Sequence, residues 1–271
     1  MNSIHRREFL KRAGALCLTA TGVQSFQVYG QPDARIVLRF AVASDGHYGQ
    51  NGTSFEDHFR DLVLHLNEFH RTLPLDLCVV NGDIIHDNPK FLLPAAQSIK
   101  NLVMPWMVTR GNHDMVTAEA WQEAWSMSLN TTRMISGTGI ICCDTSDIKG
   151  AYLSPDLNWL QGALEGFKKL KNVFLFLHIP QKKWTANAIE NPAFFELVKG
   201  YKNVRAIFHG HEHDQDGHKV QDSVPCFFDA HFGGNWGTAY KGFRVVEVLE
   251  NNDFVTWIMN PLEKINQTTH S

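Results

Sequence analysis

The amino-acid sequence predicts an α/β fold, on three observations. Five apolar runs of strand length, RIVLRFAVAS, LDLCVVN, MPWMVTR, NVFLFL and VRAIF, each lead directly into a short polar motif. Segments with helical apolar spacing lie between them, and strands alternating with helices build parallel-sheet α/β architectures. Toward the C-terminus VPCFFDAH, GFRVVEVLE and DFVTWIMN follow one another with no helix between, which suggests a second sheet.

The elements follow in chain order. After the strand RIVLRFAVAS, residues Phe55, Phe59, Leu62, Leu66 and Phe69 form a helical stripe within SFEDHFRDLVLHLNEFHRT, so an amphipathic helix comes next. His58, His65 and His70 flank that stripe and read as surface or boundary residues. LDLCVVN is a strand, FLLPAAQSIKN a shorter helix and MPWMVTR a strand. TAEAWQEAWSMSL is a helix opened by Thr117 as N-cap, with Ala120, Trp121 and Trp125 behind it. GTGIICCDTS is a strand. Ser154-Pro155-Asp156 starts a helix, with Ser154 as N-cap and Pro155 at the first helical position, running to about Lys169. NPAFFELVKG is a short helix ahead of VRAIF, while 148–152 and 231–240 read as loops.

The motifs at the strand ends carry the chemistry. They are Asp45-Gly46-His47, Gly82-Asp83, Gly111-Asn112-His113-Asp114, His178-Ile179-Pro180 and Gly210-His211-Glu212-His213. Open α/β sheets build their sites at strand C-termini. His47, His178, His211, His213, Asp45, Asp83 and Asn112 offer imidazole and oxygen donors with no thiolate. Such a set suits Mn, Fe or Zn better than a structural zinc knot. Asp45 and His47 are two apart, as are His211 and His213, and in extended chain that spacing sends both side chains to one side. His209, just before the last motif, reads as a core histidine or as a neighbour of the ligands.

These five blocks, in this order, resemble the calcineurin-like metallophosphoesterase superfamily, whose pattern runs D-x-H, GD, GNH[D/E], H and GHxH. The likeness spans about residues 36–213. It implies a sandwich of two mixed β-sheets flanked by helices and a centre of two divalent or trivalent transition-metal ions. The implied ligands are Asp45, His47, Asp83 and His213 for one ion and Asp83, Asn112, His178 and His211 for the other, with Asp83 bridging. Metal-activated hydroxide then attacks phosphorus in line. His113 serves the substrate or leaving group as acid or donor, and Asp114 accepts from its imidazole and sets its tautomer. Purple acid phosphatases lack the His of D-x-H, which this chain keeps at His47. Arg110 stands where protein Ser/Thr phosphatases carry a phosphate clamp, although their GDxVDRG is replaced by GDIIHDN. An Arg fork favours a dianionic terminal phosphate; an ion pair within the protein is the other reading of Arg110. His86, three residues after Asp83, is a candidate to line the substrate site. The expected activity is hydrolysis of a small phosphodiester. The alternatives are a phosphomonoesterase using Arg110, or a scaffold of the same fold without turnover. The Gly-rich aromatic segment His231–Trp236 either packs on the sheet or closes over a base or lipid-like group.

Bulk properties bound these readings. The 271 residues are 44% apolar, enough for one sizeable core. Net charge is −3, but residues 1–30 hold Arg6, Arg7, Lys11 and Arg12 against Glu8, leaving 21 basic and 27 acidic residues in the remainder. No basic run survives there, which disfavours nucleic acid as a partner. Arg6-Arg7-Glu8-Phe9-Leu10-Lys11 before AGALCLTATGV is a twin-arginine signature. Residues 1–30 are therefore expected to be a signal peptide handled by the twin-arginine export machinery. Residues 31–271 are expected to form a single domain delivered, already folded, to the periplasm or another extracytoplasmic space, with no stable membrane anchor. Cys78, Cys142, Cys143 and Cys226 sit in apolar runs and read as core thiols.

Overall fold

A computed structural model describes residues 35–260 and 263–271; the twin-arginine segment lies outside them. The elements are β1 (Ile36–Ala43), α1 (Phe55–Thr72), β2 (Leu77–Asn81), a 3₁₀ turn (Pro89–Phe91), α2 (Leu92–Ile99), β3 (Trp106–Thr109), α3 (Ala118–Trp125), β4 (Thr131–Ile135) and β5 (Thr138–Cys143). There follow α4 (Leu157–Phe167), β6 (Asn172–Leu177), α5 (Pro192–Lys199), β7 (Val204–His209), β8 (His218–Gln221), β9 (Val224–Phe228), β10 (Phe243–Leu249), β11 (Phe254–Asn260) and β12 (Glu263–His270).

These strands form two six-stranded sheets, ordered β12-β11-β10-β1-β2-β3 and β4-β5-β6-β7-β9-β8. Both are mixed. β1, β2 and β3 run parallel while β10 is antiparallel to β1. β5, β6, β7 and β9 run parallel while β4 and β8 are antiparallel edges. The period-2 alternation of strand side chains sets the layers. In β1, Leu38, Phe40 and Val42 face the second sheet, while Ala41 and Ala43 lie under the helices. Across the inter-sheet layer the Phe40 ring meets Phe174, Phe176 and Phe208 at centroid distances of 5.3, 6.0 and 5.9 Å. Phe59, Leu66 and Trp121 bury the outer face of the first sheet, and Leu160, Leu164 and Phe194 that of the second. The result is an α/β sandwich of two mixed sheets flanked by helices.

Several sequence expectations are corrected in detail. The late strands do not make up a sheet of their own: β9 joins the second sheet, whereas β10 and β11 extend the first beyond β1. The α4 helix is capped by Asp156, not Ser154. The Asp156 carboxylate accepts from the backbone N–H groups of Asn158 and Trp159, each at 3.0 Å, and the Ser154 hydroxyl is turned to the Pro155 carbonyl. Thr117 does cap α3, accepting from Ala120 N–H at 3.2 Å, but that helix stops at Ser126, which is left-handed at φ 55°. The four cysteines among the described residues are buried and unpaired, their thiols pushed up by burial, Cys78 to about 12. Among the described residues no helix is long and apolar enough to cross a membrane.

Candidate metal centre

The five motifs occupy the loops that leave β1, β2, β3, β6 and β7. Pleat alternation does not aim the ligands, contrary to the extended-chain expectation. β1 ends at Ala43, and Asp45 and His47 sit in the left-handed region at φ 60° and 48°. Asp83 and His211 do the same at φ 50° and 70°. Non-glycine residues seldom adopt this conformation unless the surroundings enforce it, and Asp and His tolerate it better than most. Here the enforcement is visible: Asp45 N–H donates to Gly82 O at 3.1 Å and His47 N–H to Asp83 O at 2.9 Å. The β1 and β2 loops thus hold one another in the turned form. A Cβ on Gly82 would run into the His178 ring, and one on Gly111 into Asp83, so both glycines are required by close approach.

The predicted Asp and His ligands fall into two clusters, and His47 also groups with His86 and His113. Asp45, His47 and His213 form one, and Asp83, His178 and His211 the other, each set lying within 4.8 Å. In the first, His47 Nε2 is 3.0 Å from His213 Nε2, which is 3.2 Å from Asp45 Oδ1. In the second, His178 Nε2 is 3.2 Å from Asp83 Oδ2. The same Asp83 oxygen is 3.8 Å from His47 Nε2, so this carboxylate stands between the two clusters. His178 Nδ1 lies 2.8 Å from Asn81 O. A carbonyl only accepts, so Nδ1 carries the hydrogen and Nε2 is directed at the cluster. Asn112 Oδ1, His178 Nε2 and His211 Nε2 are buried with no hydrogen-bond partner. Leaving such atoms unsatisfied is costly, about 1–3 kcal/mol each, and a cation is what lone pairs so placed would satisfy. The residues present therefore fit a metal centre.

In the metal-free chain the buried carboxylates draw protons onto the imidazoles nearest them, and a bound cation would displace those protons. Burial opposes the charged form of His178, yet Asp83 and Asp45 draw its imidazole up to about 10. Burial likewise opposes the Asp45 carboxylate, but His213 and His178 bring it down to about 2. Against burial, His178 and His47 hold Asp83 well below its ordinary value. Burial takes His47 down to about 3 and His211 to about 4, leaving neutral imidazoles of the kind metals bind.

Around this centre the structure redistributes three roles. Asp114 does not touch His113. It is fully buried and accepts from the N–H groups of Ile85 and Gly111, both at 2.8 Å, tying the β2 and β3 loops together. Burial pushes its carboxyl up to about 7. The partner of His113 is Asp87, with Oδ1 2.6 Å from Nδ1. Sequence reasoning missed Asp87, whose only signal was an acid within GDIIHDN. Arg110 forms an ion pair within the protein. Its guanidinium grips Asp144 through Nε at 3.1 Å and Nη2 at 2.6 Å, and donates to Val116 O and Ser146 O as well. His86 does line the centre: its Nδ1 is 3.0 Å from His47 Nδ1 and its ring stacks on His113 at 4.8 Å. His209 is buried outside both clusters, with Nδ1 donating to Leu177 O at 2.9 Å. The aromatic segment divides. Phe232 packs on Phe59 in the core, while Trp236, 43% exposed, stacks on His213 at 4.2 Å.

The calcineurin-like phosphoesterase family matches residues 38–215, more than half of the chain and all five motif loops. The chain belongs to this family. It is a metal-dependent phosphoester hydrolase. Among solved structures, this phosphoesterase is similar to a dimetal phosphatase from Danio rerio at 15% identity and a TM-score of 0.69, covering 88% of this chain and all of that one. It is also similar to GAP50, the anchor in the inner membrane complex of Plasmodium, at 17% identity and a TM-score of 0.63, covering 86% and 88% of the two chains. A third likeness is to a NAD nucleotidase from Haemophilus influenzae, at 14% identity and a TM-score of 0.51, covering 86% of this chain and 49% of that one. At these identities the likeness is one of fold. No curated protein matches the chain.

Proposed function

We propose that this chain hydrolyses a small phosphodiester at a centre of two transition-metal ions, Mn, Fe or Zn. The observation that carries this is the pair of ligand clusters joined by Asp83, with Asn112, His178 and His211 each presenting an unpartnered buried atom. Asp45, His47, Asp83 and His213 would hold one ion and Asp83, Asn112, His178 and His211 the other. When bound, such ions supply Lewis acidity toward phosphoryl oxygens and lower the pKa of water. The chain's own residues do the rest. Asp87 holds His113 Nδ1, which leaves Nε2 for the substrate. As the phosphorus–oxygen bond breaks and a water oxygen takes its place, His113 Nε2 gives its proton to the departing oxygen, and the proton that the water releases restores His113. The products are an alcohol and a phosphate with one ester bond fewer.

Arg110 favours the diester reading over the monoester. A dianionic terminal phosphate calls for a guanidinium fork, and the fork adjoining the motifs is consumed by Asp144 and two carbonyls. A monoanionic diester makes less demand for positive charge. The test is protein reconstituted with metal and assayed on a bis-aryl phosphodiester beside the mono-aryl ester. A higher kcat/KM on the diester is expected; the reverse order would return the chain to the phosphomonoesterases.

We also propose that residues 1–30 export the folded protein by the twin-arginine route, on the strength of Arg6-Arg7-Glu8-Phe9-Leu10-Lys11. Arg6→Lys with Arg7→Lys should leave precursor in the cytoplasm of a host that has the pathway, and undiminished export of that double variant would refute it.

A further inference from the structure

We propose that the organic group of the ester is a planar aryl or heteroaryl ring received by Trp236; this rests on the phosphoester reading above and names its substrate class. The Trp236 loop is built onto the metal-ligand loops. Phe232 N–H donates to Ser44 O and Gly233 N–H to Asp45 O, both at 3.0 Å, and Thr238 N–H donates to His213 O at 2.9 Å. Gln50 Nε2 reaches Asn235 Oδ1 at 3.2 Å. Trp236 is thus held from both sides, and its ring lies nearly parallel to His213, 10° between planes. With one face on His213, Trp236 still leaves 43% of its surface exposed.

A single exposed aromatic residue is ordinary; the neighbours of this one are not. The buried His47 ring has Trp236 at 4.8 Å, His113 at 4.9 Å and His86 at 5.1 Å. His86 and His113 are stacked with 10° between planes, and Trp236 meets His86 at 6.4 Å. The alcohol that leaves toward His113 therefore departs past the stacked His86 and His113 rings and beside the tilted Trp236 ring. The nearby guanidinium, Arg110, is turned away into Asp144. The exposed indole of Trp236 recognises a planar ring by offset stacking or edge contact, and an aliphatic group of equal size gains only its area. Tyr152, edge-on to His211 at 4.8 Å, flanks the other cluster.

The test is isothermal titration of the full metal-loaded chain with two monoanionic diester mimics of similar size, phenyl methylphosphonate and cyclohexyl methylphosphonate. The phenyl compound should bind tighter by roughly three- to tenfold, the range that aromatic pairing gives. Trp236→Leu should erase the preference and Trp236→Phe should keep most of it, with metal content measured in each because Trp236 touches His213. In the wild-type chain, phenyl ligand should quench a component of tryptophan emission that Trp236→Phe lacks. Equal affinities in the wild type, a preference that survives Trp236→Leu at full metal content, or one that disappears only in Tyr152→Leu would overturn the proposal. Absence of diester turnover with the ring preference intact would count against the diester reading alone.

Discussion

His113 and Asp87 divide the work of proton delivery from that of metal holding. His113 Nδ1 is tied to Asp87 at 2.6 Å, while its backbone N–H donates to Asp83 Oδ1 at 2.8 Å. The backbone fixes where the residue stands and Asp87 fixes how the ring turns. His113→Ala should keep both metals and slow turnover by roughly 10²–10⁴-fold, the range for a positioned acid. The defect should shrink with nitrophenolate leaving groups, which need less protonation, and stay large for alkoxides. Asp87→Ala should lose roughly ten- to a hundredfold, as removal of an orienting partner does, again with metal content intact; elemental analysis beside the leaving-group series checks both variants. A different histidine contributes to acid stability. Burial takes His209 down to about 4 from its ordinary 6.5. Between these values the unfolded chain takes up a proton that the folded chain refuses, so stability is full above about 6.5 and falls as pH drops toward 4. His209→Gln keeps a donor for Leu177 O without titrating. Its stability should depend less on pH in that window, by up to about 1.4 kcal/mol per pH unit, measured by urea denaturation of metal-free protein at stepped pH. An unchanged slope would contradict the assignment.

At the scale of elements, the strand-to-motif junctions were legible and the means of convergence was not. A polar ligand at the end of an apolar run marks itself, which is why Asp45, Asp83, Asn112, His178 and His211 stand out. Left-handed φ at Asp45, His47, Asp83 and His211 leaves no mark in composition, because the partner loop that enforces it lies elsewhere in the chain. Arg110 was ambiguous for the same reason: Asp144, which claims it, is 34 residues away. The strands missed, β4, β8 and β12, are sheet edges rich in polar residues, and β4 and β8 are largely exposed; an edge needs no apolar run. The division of the late strands between two sheets follows from which edge each can reach, which no local pattern encodes. The cap of α4 can be tested directly. Asp156→Ala should cost about 1 kcal/mol, as loss of an N-cap does, whereas Ser154→Ala should cost less, since its hydroxyl caps no helix N–H and only donates to Pro155 O and accepts from Asn191 Nδ2 at 2.8 Å. Equal losses in thermal unfolding would restore Ser154 as the cap.

On the scale of the whole molecule, the two sheets act as one frame because their inner faces interlock. Phe40 touches three phenylalanines of the opposite sheet, so Phe40→Ala should destabilise by about 3–5 kcal/mol, the usual cost of emptying an aromatic core site, read from denaturant unfolding. It should also loosen the centre, since Asp45 and Asp83 come from the first sheet and His178, His211 and His213 from the second. The same geometry explains why Asp83 matters most: its carboxylate lies 3.2 Å from His178 Nε2 of one cluster and 3.8 Å from His47 Nε2 of the other. The most direct measurement is therefore metal stoichiometry, by elemental analysis of the reconstituted protein and of Asp83→Ala. The account predicts two ions per chain at saturation, and in Asp83→Ala the loss of the second ion together with essentially all turnover. A single ion at saturation in the wild-type chain, or two retained in Asp83→Ala, would contradict it.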